Sequence, residues 1–390
     1  MKVRRMRCCY CSSLHTSKNG KRRLISYSFS RKSSKEIQRF KCKDCKRTFI
    51  KRKASKQRYT KVFKLELTRM HVEERMSYRV ISKRIKERYA IRISKNTICR
   101  MVNEVAGYSK GDIKINEEYK PQWFGYLTVD DKYFGVKADK KMILTATDSS
   151  GDLVHMEIFK YIEQQRIDEF IRFIKEHLKY PFKAITTDLD EMLEKSIQKE
   201  LGNKLPHQKC LKHALDSVDK IVQLKQKRKS YQKAYRFDRE DFELKEKEYK
   251  EAEIIFTLSK QLFYSSDKRQ SKRILKGLKI YKGKYPKLFD FFNRHLYKLL
   301  IHQSHPVIKK TNNIAENINR LLMRRLKTIE SFQKLSYAEN YLNLYKNYLR
   351  FKPYTDCRKN NKFKNGKSPL EVCGVVLNNK DWLKNAVCFY

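Results

Sequence analysis

Apolar positions recur along these 390 residues with two different periods, and the period changes along the chain. From residue 121, "FGYLTVDDKYFGV", "KMILTATD" and "LVHMEIFK" alternate or run apolar over strand-like lengths and predict three consecutive strands. "RIDEFIRFIKEHL" then places Ile167, Phe170, Ile171, Ile174 and Leu178 at helical spacing. A strand in "FKAITTD", a helix in "EMLEKSIQKEL" and a last short strand near "LPHQKC" follow. Three meander strands and then alternating helix and strand is an α/β order. Earlier in the chain, "MSYRVISKRIKERYAIRISKNTICRMVNEV" reads as two helices joined by a turn. Val80, Ile81 and Ile85 make the inner stripe of the first; Ser94 caps the second, where Ile98, Met101, Val102 and Val105 recur at i, i+3, i+4 and i+7. Later, "FELKEKEYKEAEIIFTLSKQLF" and "YPKLFDFFNRHLYKLLIHQ" carry apolar stripes with basic outer faces. No heptad persists long enough for a coiled coil.

Charge changes this picture most. Lys and Arg number 91 against 43 Asp and Glu, a formal +48, which binds polyanions without regard to sequence. The basic residues run the whole length, and 24 Tyr with 21 Phe exclude a disordered basic tail. The helix pair is accordingly read as a helix-turn-helix that binds DNA. Lys95 and Thr97 stand at the start of its second helix, with Asn96, Arg100 and Asn103 opposite the apolar stripe, where side chains reach base edges and phosphates. No segment reaches the roughly 18 apolar residues of a membrane span, and "MKVRRMRCCYC" lacks the apolar run of a signal peptide, so a cytoplasmic, nucleoid-associated protein is expected. In that setting ten cysteines point to metal ligands before disulfides. Two C-x-x-C pairs, Cys8 with Cys11 and Cys42 with Cys45, supply four thiolates for one structural zinc in a zinc ribbon, flanked by Phe40 and Phe49; Cys9 is spare.

Against so much base, two adjacent aspartates end an apolar run in "YLTVDD". Strand alternation puts Thr128 and Asp130 on one face, with Asp131 pointing away. On the fourth strand Ala184, Thr186 and Asp188 lie together, and a sheet that pairs the first and fourth strands brings Asp130 and Asp188 to one edge. A third carboxylate is expected from a late helix. In "TNNIAENINRLLMRRLKTIESF", Ile314, Ile318, Leu321 and Leu322 form a buried stripe, and Asn313, Glu316, Asn317 and Arg320 another face. Asp131 and Asp190 remain alternatives to Asp130 and Asp188, and Asp148 is read as a structural acid.

In this order the chain resembles the DDE transposases of insertion sequences, most closely their Mutator-like branch. Asp130 in "LTVDD", Asp188 in "ITTDLD", Cys210 and His213 in "HQKCLKH", Glu316 in "TNNIAEN" and the tail "NGKSPLEVCGV" carry the resemblance. It implies a ribonuclease H-like core with an all-α insertion, preceded by the zinc ribbon and helix-turn-helix. The implied boundaries are 1–54 for the ribbon, 55–112 for the helix-turn-helix and 113–213 for the first part of the core. The insertion is 214–308, the last catalytic helix and its successor 309–350, and the tail 351–390. It also implies catalysis by Asp130, Asp188 and Glu316 holding two Mg (or Mn) ions, with cleavage of element ends and joining of 3′ ends to target DNA. Arg320 and Arg324 would hold DNA beside that site, and Cys210 and His213 would have a structural part. A homodimer or higher assembly on DNA is expected, since two ends must be synapsed. The alternatives are a non-catalytic DNA-binding regulator keeping the ribbon and helix-turn-helix, and a nuclease without strand joining.

Overall fold

The computed structural model describes residues 6–29, 32–50, 58–136, 139–161, 163–237, 241–329 and 332–388. They fall into two compact units. One runs to Ser109 and takes in Val387 and Cys388; the other is Lys110–Ala386.

The first unit opens with an antiparallel sheet of β1 (Thr16–Tyr27), β2 (Lys32–Cys42) and β3 (Thr48–Ile50) in that order. Residues 51–54, the end of the expected ribbon, lie outside the described residues. Three helices follow: α1 (Lys61–Val72), α2 (Tyr78–Tyr89) and α3 (Lys95–Ala106). Each is opened by a hydroxyl, of Thr60, Ser77 or Ser94, that accepts a hydrogen bond from a backbone N–H in the first turn. The α3 stripe Ile98, Met101, Val102 and Val105 is buried as its spacing predicts. In α2, Ile81 and Ile85 are fully buried but Val80 is half exposed, because its position lies a step round the helix from the stripe that α3 covers. Helix α1 was not anticipated, although Phe63, Leu67 and Met70 repeat at i, i+4 and i+7 and are all buried.

In the second unit a short helix α4 (Asp112–Tyr119) leads into β4 (Tyr126–Val136), β5 (Asp139–Asp148) and β6 (Leu153–Phe159). Then come α5 (Gln164–Glu176), β7 (Ala184–Thr187), α6 (Glu191–Leu201) and β8 (His207–Lys209). The sheet is mixed, in the order β6-β5-β4-β7-β8. β4 and β6 run antiparallel to β5, while β7 lies parallel to β4 and to β8. Gly125 admits the chain to β4 with φ +89°; a Cβ there would stand 2.3 Å from the Pro181 carbonyl.

Period-two alternation gives the sheet two unlike faces. Leu127, Val129, Met142, Leu144 and Ile185 join Ile167, Phe170, Ile171 and Ile174 of α5 in one apolar core. Thr128, Asp130, Thr145, Thr147 and Thr186 are buried polar residues on alternate positions. The described residues from 211 to 299 then form α7 (Leu211–Val222), α8 (Leu224–Phe237), α9 (Phe242–Tyr264), α10 (Lys268–Leu278) and α11 (Pro286–Leu299). These helices carry their own core, from Leu211 and Val218 to Phe292 and Leu299. Helix α12 (Asn313–Ile329) packs on β4 and β5, followed by α13 (Leu335–Phe351). The tail adds α14 (Pro369–Val372), opened by a capping box of Ser368 and Glu371, and α15 (Trp382–Ala386), which packs on α13. Fully buried Arg350 of α13 donates to both oxygens of Asp152 at 3.0 and 2.9 Å, tying that helix to the β5–β6 turn.

Candidate functional site

Two groups of ligating side chains converge among the described residues. The first is the four-cysteine cluster, in which Cys8, Cys11, Cys42 and Cys45 bring their sulfurs within 4.8 Å of one another. The short loop before β1 and the β2–β3 turn face each other, so Cys8 Sγ lies 3.6 Å from Cys45 Sγ and Cys11 Sγ 3.6 Å from Cys42 Sγ. Tetrahedral zinc with bonds of about 2.3 Å would set its sulfurs about 3.8 Å apart, so the cluster could hold a zinc ion with little movement. Backbone N–H groups of Cys45 and Asp44 favour the Cys42 thiolate and bring its pKa down to about 7. Phe40 and Phe49 stack beside it at 5.8 Å, while Cys9 is exposed and outside the cluster.

The acids gather in the second unit, and register explains how. The last parallel pair between β4 and β7 is Thr128 with Thr186, so Asp130 and Asp188 each stand two residues beyond it, Asp130 still within β4 and Asp188 just past the end of β7. β4 runs past Asp130 to Val136 because β5 goes on pairing with it, Asp130 opposite Thr145. Asp130 is 1% exposed. Its two oxygens accept from Asn312 Nδ2 at 2.8 Å and Asn319 Nδ2 at 2.7 Å, and Asn319 Oδ1 in turn accepts from the Thr145 hydroxyl at 2.6 Å. These two asparagines, seven residues apart and both fully buried, escaped the sequence reading. The face of α12 that meets the sheet is Ala315, Asn319, Leu322 and Leu326, with Ile314, Ile318 and Leu321 only half-buried. The apolar stripe alone therefore placed the buried face about one position off. The signal that could have found it was the Asn-x-x-Ala-x-x-x-Asn-x-x-Leu spacing, which keeps amides in phase with small and apolar residues.

Glu316, one turn into α12, is half-buried and its Oε2 accepts from Lys212 Nζ at 2.5 Å. Its Oε1 lies 3.7 Å from His213 Nε2 and has no hydrogen-bond partner among the described residues. Glu316, Cys210 and His213 make the second convergent group, with ligand atoms within 4.8 Å; Asp130 and Asp188 do not belong to it. Asp188 accepts from the Asp190 backbone N–H at 3.1 Å, whereas Asp190 accepts from the Leu193 N–H at 2.7 Å and so caps α6. Asp148 is fully buried and accepts from Gly125 N–H, Ser150 N–H and the Tyr180 hydroxyl, a wholly internal set of partners.

No protein-family model and no curated protein matches this chain. Burial raises the Asp130 carboxyl above the usual range, and Asp131 and Glu316 add to the rise while Asn319 and Lys132 oppose it. Burial likewise raises Asp188, with Asp190 and Asp130 adding like charge. Asp131, off the Asp130 face but still within the field of Asp188, is pushed up to about 6 by burial and by that neighbour. A hydrogen bond to Cys210, with Asp188 and Glu316 nearby, pushes His213 up to about 9. In a chain of such positive charge these carboxylates are under-compensated where they stand, which is the environment a bound cation relieves.

In the first unit Lys95, Asn96 and Arg100 are exposed along α3, with Thr97 half-buried beside them. Asn103 donates to the Cys99 carbonyl at 2.9 Å. Arg320 and Arg324 are exposed on α12. No helix among the described residues is long and apolar enough to cross a membrane.

Proposed function

We propose that this chain is a DDE transposase, which cleaves DNA at the ends of an insertion sequence and joins the 3′ ends to target DNA. The observation that carries the reading is the pairing of β4 with β7 up to Thr128 and Thr186, two residues short of Asp130 and Asp188, together with the grip on Asp130 by Asn319 of α12 and by Asn312 just before it. The strand order with one antiparallel reversal, followed by a helical segment and then α12, supports a ribonuclease H-like core with an all-α insertion. In that core Asp130, Asp188 and Glu316 would hold Mg or Mn, for which carboxylate oxygens are the preferred donors. Such a pair of ions, when bound, activates the attacking oxygen and stabilises the leaving one.

The chain's own residues do the rest. The Asn312 and Asn319 amides fix both Asp130 oxygens, so the carboxylate keeps one orientation through the reaction. Lys212 holds Glu316 by one oxygen and leaves the other without a hydrogen-bond partner among the described residues. Exposed Lys95, Asn96 and Arg100 on α3 suit a helix-turn-helix reading of element ends, with Thr97 and Asn103 alongside, and Arg320 and Arg324 suit a grip on phosphates beside the acids.

Strand cleavage and joining of a labelled element end with Mg or Mn tests this. Asp130→Asn, Asp188→Asn and Glu316→Gln should each abolish both steps and spare DNA binding. Full activity in all three would overturn the mechanism. Activity retained in Asp130→Asn but lost in Asp131→Asn would move the ligand by one position. Tight binding with no cleavage by the unaltered chain would favour a regulator instead.

A further inference from the structure

Cys210, His213 and Glu316 form a ligand set of which carboxylate chemistry with Mg would use Glu316 alone. Cys210 immediately precedes α7 and is fully buried, and His213 stands three residues on, in the first turn, so both face the same way. The first turn of α12 brings Glu316 against them, and one ligand atom from each lies within 4.8 Å of the others. His213 Nε2 and Glu316 Oε1 are 3.7 Å apart. Two such ligands on a tetrahedral zinc with bonds of 2.0–2.1 Å would be separated by about 3.3 Å, a contraction of a few tenths. Glu316 Oε1 and His213 Nδ1 are buried without a hydrogen-bond partner among the described residues. Since Lys212 already occupies Glu316 Oε2, the carboxylate is poised to bind through one oxygen. A thiolate and an imidazole in the set select a soft, four-coordinate metal over Mg.

We propose that Cys210, His213 and Glu316 are a second zinc site, distinct from the four-cysteine cluster, with a fourth position open to water or a phosphate oxygen. Sites with three protein ligands are the kind that keep an exchangeable position. If Glu316 also serves the acids (this clause alone rests on the function proposed above), zinc there withdraws it from Asp130 and Asp188 and holds the enzyme at rest.

Equilibrium dialysis of the full-length protein against low-micromolar zinc, followed by metal analysis, tests the site without reference to activity. The unaltered chain should hold about two equivalents, one in each convergent group. Cys210→Ser and His213→Gln should each bring this to about one, with the thermal unfolding of the protein retained in at least one of them. Asp188→Asn should keep two, which separates this site from metal held by the aspartates. One equivalent in the unaltered chain, or two in both Cys210→Ser and His213→Gln, would overturn the assignment. Either result leaves the DDE reading standing, and active amide variants would leave this site standing.

Discussion

At the scale of single residues, the clamp on Asp130 shows how a carboxylate is kept inside a protein. Both oxygens accept from amides, and the second amide is itself anchored by Thr145. Asn319→Ala would strand one carboxylate oxygen and one hydroxyl in a buried place. The expected loss is roughly 1–3 kcal/mol in urea unfolding, and a loss no larger than at exposed positions would show that the clamp is dispensable. A second buried group sets a pH dependence. Burial, with Lys298 and Lys209 nearby, holds His207 down to about 3 from 6.5. Against the cost of burial, Lys209 and Lys298 hold Glu194 down to about 2 from 4.5. In both cases the unfolded chain takes up the proton first. Stability should therefore fall as pH drops below 6.5 through His207, and again below 4.5 through Glu194, each loss continuing toward the lower value. His207→Phe should flatten the upper part of that slope in urea midpoints taken between pH 7 and pH 5; an unchanged slope would remove His207 as its source.

At the scale of elements, strands and helices with a clear period were legible and their details were not. The strands of the second unit, α5 and α3 follow from spacing, because each buries its apolar positions on one face. The sequence pattern indicated a strand through "FGYLTVDDKYFGV", and β4 covers it from Tyr126 to Val136, with β5 paired along its length from Leu127. Period two reaches Asp130 within β4 but not Asp188, which lies just past the end of β7. The turn of α12 was hidden because asparagine reads as polar, and here two asparagines face inward to meet an acid that only the sheet reveals. The four-cysteine cluster was legible from its two C-x-x-C pairs, and a metal should hold it together. Removing zinc with a strong chelator should make Cys8, Cys11, Cys42 and Cys45 reactive together, since structural thiolate zinc supports folding directly. Both tryptophans, Trp123 and Trp382, are buried in the second unit, so their fluorescence serves as the internal reference. Four thiols already reactive in freshly purified, folded protein would count against the zinc.

At the scale of the whole molecule, a formal +48 predicts how affinity for DNA responds to salt. Binding to random DNA should fall steeply and linearly on logarithmic axes, with a slope set by the number of phosphates neutralised. Arg100→Ala should cost about 1–3 kcal/mol on an element end, and little on random duplex, if α3 reads bases. Equal losses on both, in titrations at one salt concentration, would make Arg100 a phosphate contact. The clamp of the acidic site has a consequence in time as well. Asn312 and Asn319 lie 182 and 189 residues beyond the aspartate they hold. At a synthesis rate of about 5–20 residues per second, Asp130 emerges from the ribosome roughly 10–40 seconds before its partners. The basic helices of the first unit come out earlier still. A growing chain thus displays its basic helices well before its acids are gathered, and on the function proposed above a message broken short of α12 would yield a protein able to hold DNA and unable to cut it.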